Sequence, residues 1–298
     1  MNRPNPAFGV LTTLASCVLF AVMGALIRYG STLGLDAFKT AMFRFAIGLA
    51  VLGTLAMSKR INLRFFDSPL LFLRGLTGGV AIYLFYLSID KIGIAKGTVI
   101  SYSYNVFAAL GSMIFLRERV GPFKWVLILA SLAGIGLIAA DKSGASGFTI
   151  STFEWLAILG AVFSGIAIVV IKKLCDTDSP FSIFFAQSLV GFWLMVIPAN
   201  LKPVELSLAG GTLLLLIGLS AAAGQLCMTA GYAHLTVATA GILGMLVPVI
   251  NTAIGVAVFH EYLSALGLAG VAVVIATCAL LAVKRRSNKP PQMASPVE

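Results

Sequence analysis

Charge is what this sequence has least of. Of 298 residues only 11% are charged, against about 25% in an ordinary soluble domain. Hydrophobic residues make up 59%, and the mean hydropathy is +1.00. A chain of this size hides only about 75% of its surface on folding. So much apolar surface excludes a soluble globular enzyme and a disordered chain. Cysteine is scarce too. Of the four, Cys17, Cys227 and Cys278 lie in apolar runs and Cys175 at the edge of one. No metal-ligand spacing links them, and they read as small buried hydrophobes. There are two histidines, His234 and His260, both at run edges, and no HExxH. With no nucleophile–base pair in the apolar runs either, an intramembrane enzyme is not expected. His234 reads as a solvated loop histidine.

What the chain does have is long apolar runs. A membrane helix needs about 20 mostly apolar residues. Ten runs qualify, at 7–27, 37–57, 69–89, 95–116, 122–140, 153–171, 181–201, 208–231, 237–259 and 264–283. The fold class is therefore an all-α membrane protein with ten transmembrane helices. Connections are short and leave no room for a soluble domain. Residues 284–298 are polar and Pro-rich and read as a disordered cytoplasmic tail. Leu14-Ala15-Ser16-Cys17 resembles a lipoprotein cleavage box, but the run continues through Ile27. That is too long for a signal-peptide core, so the first helix is expected to be retained.

The basic residues set orientation. With the N-terminus inside, the inner segments hold Arg3, Lys59, Arg60, Arg64, Arg117, Arg119, Lys124, Lys172, Lys173, Lys284, Arg285, Arg286 and Lys289. That is 13 of the 21. The outer loops hold Arg28, Lys91, Lys142 and Lys202. Both termini are then cytoplasmic. The net charge of +10 is explained by this anchoring and calls for no nucleic-acid partner.

Sliding the chain by 143 residues aligns Gly75-Leu76 with Gly218-Leu219, Ala95 with Ala238, Val106 with Val249 and Glu118 with Glu261. The run boundaries agree as well. The expected domains are a five-helix repeat at 1–143 and a second at 144–283. Five is odd, so the second repeat enters the membrane the other way up. Inverted repeats recur in secondary transporters, with the substrate held at the midplane where the repeats meet.

Phe43-Arg44-Phe45 in run two, Leu73-Arg74-Gly75 opening run three, and Glu118 and Glu261 after runs four and nine accompany this 5+5 plan. Together they resemble the drug/metabolite transporter superfamily, EamA-like branch, over 7–283. The resemblance implies a bacterial inner-membrane carrier of small metabolites, often an exporter, with a cavity formed by both repeats. Many members carry a proline in both the fourth and ninth spans. Here Pro248 is present, but Asn105 stands at the matching place in run four.

The candidate substrate-binding residues are the polar groups inside the runs. All eleven acids lie in loops, at run edges or in the tail, which argues against simple carboxylate-based proton coupling. Arg44 lies about a third of the way into run two. It reads as a clamp for a substrate carboxylate or as a structural donor to backbone carbonyls. Arg74, Lys39 and Lys96 read as snorkelling anchors. Run four carries Ser101-Tyr102-Ser103-Tyr104-Asn105. A continuous helix puts Ser101 and Asn105 on one face and Tyr102 roughly opposite Tyr104. Tyr83, Tyr86, Gln187, Gln225, Asn251 and Thr252 complete the set, with Trp193 in run seven a further weak candidate, since a Tyr or Trp near a run end is more often an interface anchor. Gly75, Gly78 and Gly79, with Gly218, Ala221 and Ala222, suit close helix packing, static or sliding. No metal or cofactor is expected. The partners are a small-molecule substrate and the bilayer, and oligomeric state is not readable. The function expected is export of an amphiphilic or zwitterionic metabolite, such as an amino acid or derivative. An uptake carrier or exchanger is the alternative, and a passive channel comes after it.

Overall fold

The computed structural model describes residues 5–65, 68–140, 151–201, 207–260 and 265–287. Among these there is no strand. The helices are α1 (Pro6–Thr32), α2 (Ala37–Met57), α3 (Pro69–Ile92), α4 (Ile94–Tyr102), α5 (Tyr104–Phe115), α6 (Pro122–Ala140), α7 (Thr152–Leu174), α8 (Pro180–Asn200), α9 (Leu208–His234), α10 (Val237–Gly244), α11 (Leu246–Phe259) and α12 (Ala265–Ser287). Seven stretches, with α10 and α11 counted as one, are long and apolar enough to cross a membrane.

Short-range chemistry sets where these helices start. Asn5, Asp36, Ser68, Ser151, Ser179 and Ser207 each accept a backbone N–H from the helix that follows. Each such cap is worth about 1 kcal/mol. Proline stands first in α1, α3, α6 and α8, where its missing N–H costs nothing. At the far end, α12 runs past 283 to Ser287, because no helix breaker precedes Pro290. The expected tail is thus helical at 284–287, and 288–298 lie outside the described residues. So do Arg3, Lys142, Lys202, Glu261 and Lys289.

Runs four and nine are each two helices rather than one. The first break is at Ser103 and the second at Met245. In run nine Pro248 supplies no N–H to the preceding turn. Run four has no proline. There the Asn105 side-chain amide donates to the Tyr102 carbonyl, 3.0 Å away, and satisfies the group that the break frees. The bend therefore survives the departure from the family pattern, by a different device.

The helices pack mostly in pairs drawn from opposite halves of the chain: α1 on α9, α3 on α7, α2 on α8 and α6 on α12. The broken helices cross, α4 against α11 and α5 against α10. Two apolar clusters flank the centre, one including Ile171, Ala186 and Ile242, the other Phe45, Tyr86 and Ile217, and Tyr104 packs against both. Outside them large apolar residues such as Leu11, Ile114, Phe115, Trp193 and Ile197 are exposed, as suits a lipid-facing girdle. The seam of α3 on α8 is close. A Cβ at Gly79 would sit 3.1 Å from the Gly191 Cα, and one at Gly75 2.7 Å from the Ala186 carbonyl. Gly218 makes the corresponding approach of α9 to Ile47 of α2.

Candidate functional site

A cavity of about 110 Å³ lies in the middle of this bundle. Its walls come from both halves: Phe20 and Met23 on α1, Arg44 on α2, Arg74, Gly78 and Phe85 on α3, Ser101 and Tyr102 on α4, Tyr104 on α5, Ser164 and Ile168 on α7, Gln187 on α8, and Gln225 and Met228 on α9. It is smaller than the roughly 300–1,000 Å³ of a typical ligand pocket. It has room for the polar head of a solute together with a short skeleton.

Two arginines give it its chemistry. Arg44 is 3% exposed and Arg74 2%. Arg44 Nη1 donates to the Tyr86 hydroxyl at 3.3 Å and approaches Met23 Sδ at 3.5 Å. Its guanidinium carbon lies 5.8 Å from the Tyr86 ring centre. The Tyr86 hydroxyl points in turn to Met23 Sδ. Arg74 Nη2 donates to Gln187 Oε1 at 2.6 Å, and Gln187 Nε2 reaches back to the Gly78 carbonyl at 3.5 Å. The Nε of each arginine is buried without a partner. Among the described residues no acid lines the cavity. An intramembrane arginine costs roughly 3 kcal/mol or more to place, so two of them facing one small space are a feature to be explained by what enters it.

Arg74 corrects an expectation. Its place in the second turn of α3 suggested an anchor snorkelling to the headgroups, but it points inward to Gln187. Gly78, one turn on, makes this possible: a Cβ there would overlap the Arg74 guanidinium. Lys39 is also buried, at 7% exposure. The Lys96 side chain lies outside the described residues.

The expected site residues divide cleanly. Arg44, Ser101, Tyr102, Tyr104, Gln187 and Gln225 line the cavity. Tyr86 stands behind Arg44 as its support. Tyr83 does not reach the wall; its ring stacks on Phe38 with centres 4.0 Å apart. Asn105, Asn251 and Thr252 are buried but do not line the cavity, and the Thr252 hydroxyl has no hydrogen-bond partner among the described residues. Asn251 Nδ2 donates to Thr98 of α4 at 3.0 Å, and a Cβ at Gly241 of α10 would lie 2.6 Å from Asn105 Oδ1. Tyr102 and Tyr104 are not on opposite faces. The break at Ser103 brings their rings to 5.3 Å. His234 is the last residue of α9 and accepts the Asn5 N–H on Nδ1 at 3.3 Å, so it belongs to the α1 entry and not to a free loop. Trp193 is exposed on the lipid side.

Sequence reading overlooked Phe20, Met23, Phe85, Ser164 and Met228. Ser164, polar in an apolar run, carried the same signal as Gln187; the apolar residues give no signal of which neighbour they face. One signal was available for Arg74, namely the glycine a turn away at the spacing that frees its side chain.

Charged groups at the rim close the bundle. Glu118, in the segment after α5, accepts the Val237 N–H at the start of α10, with its nearer oxygen 3.1 Å away. Lys172 Nζ donates to the Tyr232 and Leu235 carbonyls at the end of α9, 2.9 and 3.0 Å away. An anion at a helix start and a cation at a helix end both complement the helix dipole.

Known proteins match this arrangement. A pseudopaline exporter of Pseudomonas aeruginosa, CntI, is 28% identical over 281 residues, covering 92% of this chain and 95% of its own. A riboflavin transporter of Vibrio cholerae is 27% identical over 204 residues, covering 67% of this chain and 65% of its own. A protein of known crystal structure superposes with a TM-score of 0.75 at 16% identity, over 96% of this chain and 100% of that one, and so shares the fold. The model of the EamA-like transporter family matches residues 7–140 and 152–283. A multi-pass bundle of apolar helices with a polar cavity at its centre, matched by that model over nearly its whole length, belongs to the EamA-like transporter family.

Proposed function

We propose that this chain is a secondary transporter of the bacterial inner membrane that exports a small amphiphilic or zwitterionic metabolite, such as an amino acid or derivative, by alternating access. In this reading α4 with α5 forms one span and α10 with α11 another. Ten spans then make two inverted five-helix repeats, with both termini cytoplasmic. The helix pairing supports it. Exchanging the halves turns α1–α9 into α7–α3 and α4–α11 into α10–α5, and returns α2–α8 and α6–α12 to themselves. Export is favoured by the relative named as an exporter, which aligns over 92% of the chain.

The observation that carries the reading is the central cavity, built from both halves, whose lining combines guanidinium and hydroxyl groups with Phe20, Phe85 and Met228. A solute with a charged head and an apolar body matches such walls, and pairing across two repeats is what lets them open alternately. Asn251 ties α11 to Thr98 of α4, so a rocking motion has a defined unit to move. The test is saturable counterflow in proteoliposomes, with solutes chosen by comparing metabolites retained and released by cells with and without the gene. If no solute exchanges in a saturable way, the carrier reading is wrong.

A further inference from the structure

Two buried guanidinium groups share one cavity, with no acid among the described residues of its wall. Arg44 and Arg74 meet only neutral partners: a phenol and a thioether for the first, a carboxamide for the second. Each keeps an Nε donor buried and unpartnered. Neither forms an ion pair with any described residue. Like charges in a poorly hydrated space repel strongly, and an unpaired donor there is costly. The protein nevertheless holds both in place. Gln187 fixes one head, Tyr86 supports the other, and Gly78 keeps the space that Arg74 fills.

From these groups the class of solute can be narrowed. A solute with one carboxylate neutralises one guanidinium and leaves the other bare. If it is a simple zwitterion, its ammonium group also faces the remaining cation. A solute with two carboxylates neutralises both, and each carboxylate offers two oxygens to a guanidinium fork. Tyr102, Tyr104 and Ser101 add hydroxyl donors, and Phe20 and Phe85 supply apolar wall for a short carbon skeleton.

Building on the transporter reading above, we propose that the cavity selects a small dicarboxylate, one carboxylate held by Arg44 and the other by Arg74. The full-length protein, purified in detergent, tests this by thermal unfolding at constant ionic strength. The probes are malonate and L-aspartate against acetate, L-alanine and inorganic phosphate. Malonate or L-aspartate raises Tm saturably, by about 5 °C at concentrations well above Kd, and acetate and L-alanine do not. Arg44→Gln and Arg74→Gln each abolish the rise. Arg44→Lys and Arg74→Lys keep the charge but lose the fork, and each raises Kd about tenfold. These lysine variants decide the matter if the glutamine variants do not fold.

Three results overturn the proposal: no rise with either dicarboxylate, a rise with phosphate alone, or lysine variants that bind as tightly as wild type. Failure here is separable from failure of the transporter reading. Counterflow of a monocarboxylate without dicarboxylate binding leaves the carrier intact and removes the dicarboxylate. Dicarboxylate binding without counterflow of any solute does the reverse.

Discussion

Arg74 on α3 and Gln187 on α8 are joined by a buried hydrogen bond of 2.6 Å across 113 positions of sequence. It aims the guanidinium into the central cavity and ties two helices from opposite halves together. Gln187→Leu leaves a buried charge without its acceptor, and a destabilisation of about 2 kcal/mol is expected, read as a lower Tm of the purified protein. Gln187→Glu is predicted to act differently. A carboxylate there pairs with Arg74, so Tm is kept while affinity for an anionic solute falls at least tenfold in a binding titration.

Gly78 stands where Arg74 needs space. Gly78→Ala places a methyl into the guanidinium and forces it to move. Overpacking of this kind costs about 1–3 kcal/mol. Solute counterflow is expected to be lost at an expression level near that of the wild type. Unchanged counterflow would show that Arg74 does not act from its observed position.

Asn105 substitutes for a proline by capping Tyr102. Asn105→Ala removes that bond and is expected to cost about 1 kcal/mol, in line with hydrogen bonds inside membrane bundles. Because Asn105 does not line the cavity, Tm is predicted to fall while the KM of the transported solute stays within about twofold of the wild-type value, a difference of roughly 0.4 kcal/mol.

Glu118 caps α10 from a different part of the chain. Glu118→Ala leaves the Val237 N–H open and is expected to destabilise by about 1 kcal/mol. Glu118→Gln retains an acceptor but not the charge, and its Tm is predicted to fall between the two.

Cys175 sits just past α7, outside the membrane span. Burial pushes its thiol up to about 11, with the nearby Lys172 opposing the shift weakly. The thiol is therefore neutral at pH 7 and a poor nucleophile. Alkylation of Cys175 in the folded protein is predicted to be slow at pH 7 and to speed up about tenfold per pH unit until pH approaches 11. A rate already at its plateau by pH 9 would contradict this environment.

The local rules of the sequence were legible to within a few residues. Apolar runs gave the helices because a bilayer demands them, and Ser68 before Pro69 or Ser179 before Pro180 gave their starts because caps and prolines act within one turn. Half of the site was legible for the same kind of reason: a polar group such as Gln187 or Tyr102 in an apolar run has to face something other than lipid. What such a group faces is another matter. Gln187 faces the cavity, whereas Asn251, equally polar and equally buried, faces Thr98.

The sequence by itself determined that this is a membrane protein, where its helices run, and that arginine lies within them, since hydropathy and spacing act along the chain. Only the tertiary structure decided which polar groups meet. Arg74 counts as an end-of-helix anchor along α3. It becomes a cavity residue because α8 brings Gln187 against it and Gly78 leaves room. Tyr102 and Tyr104 count as opposite faces of a helix, and they become neighbours because the helix breaks at Ser103. Contacts between residues more than a hundred positions apart leave no periodic trace in either segment, and it is those contacts that make the cavity.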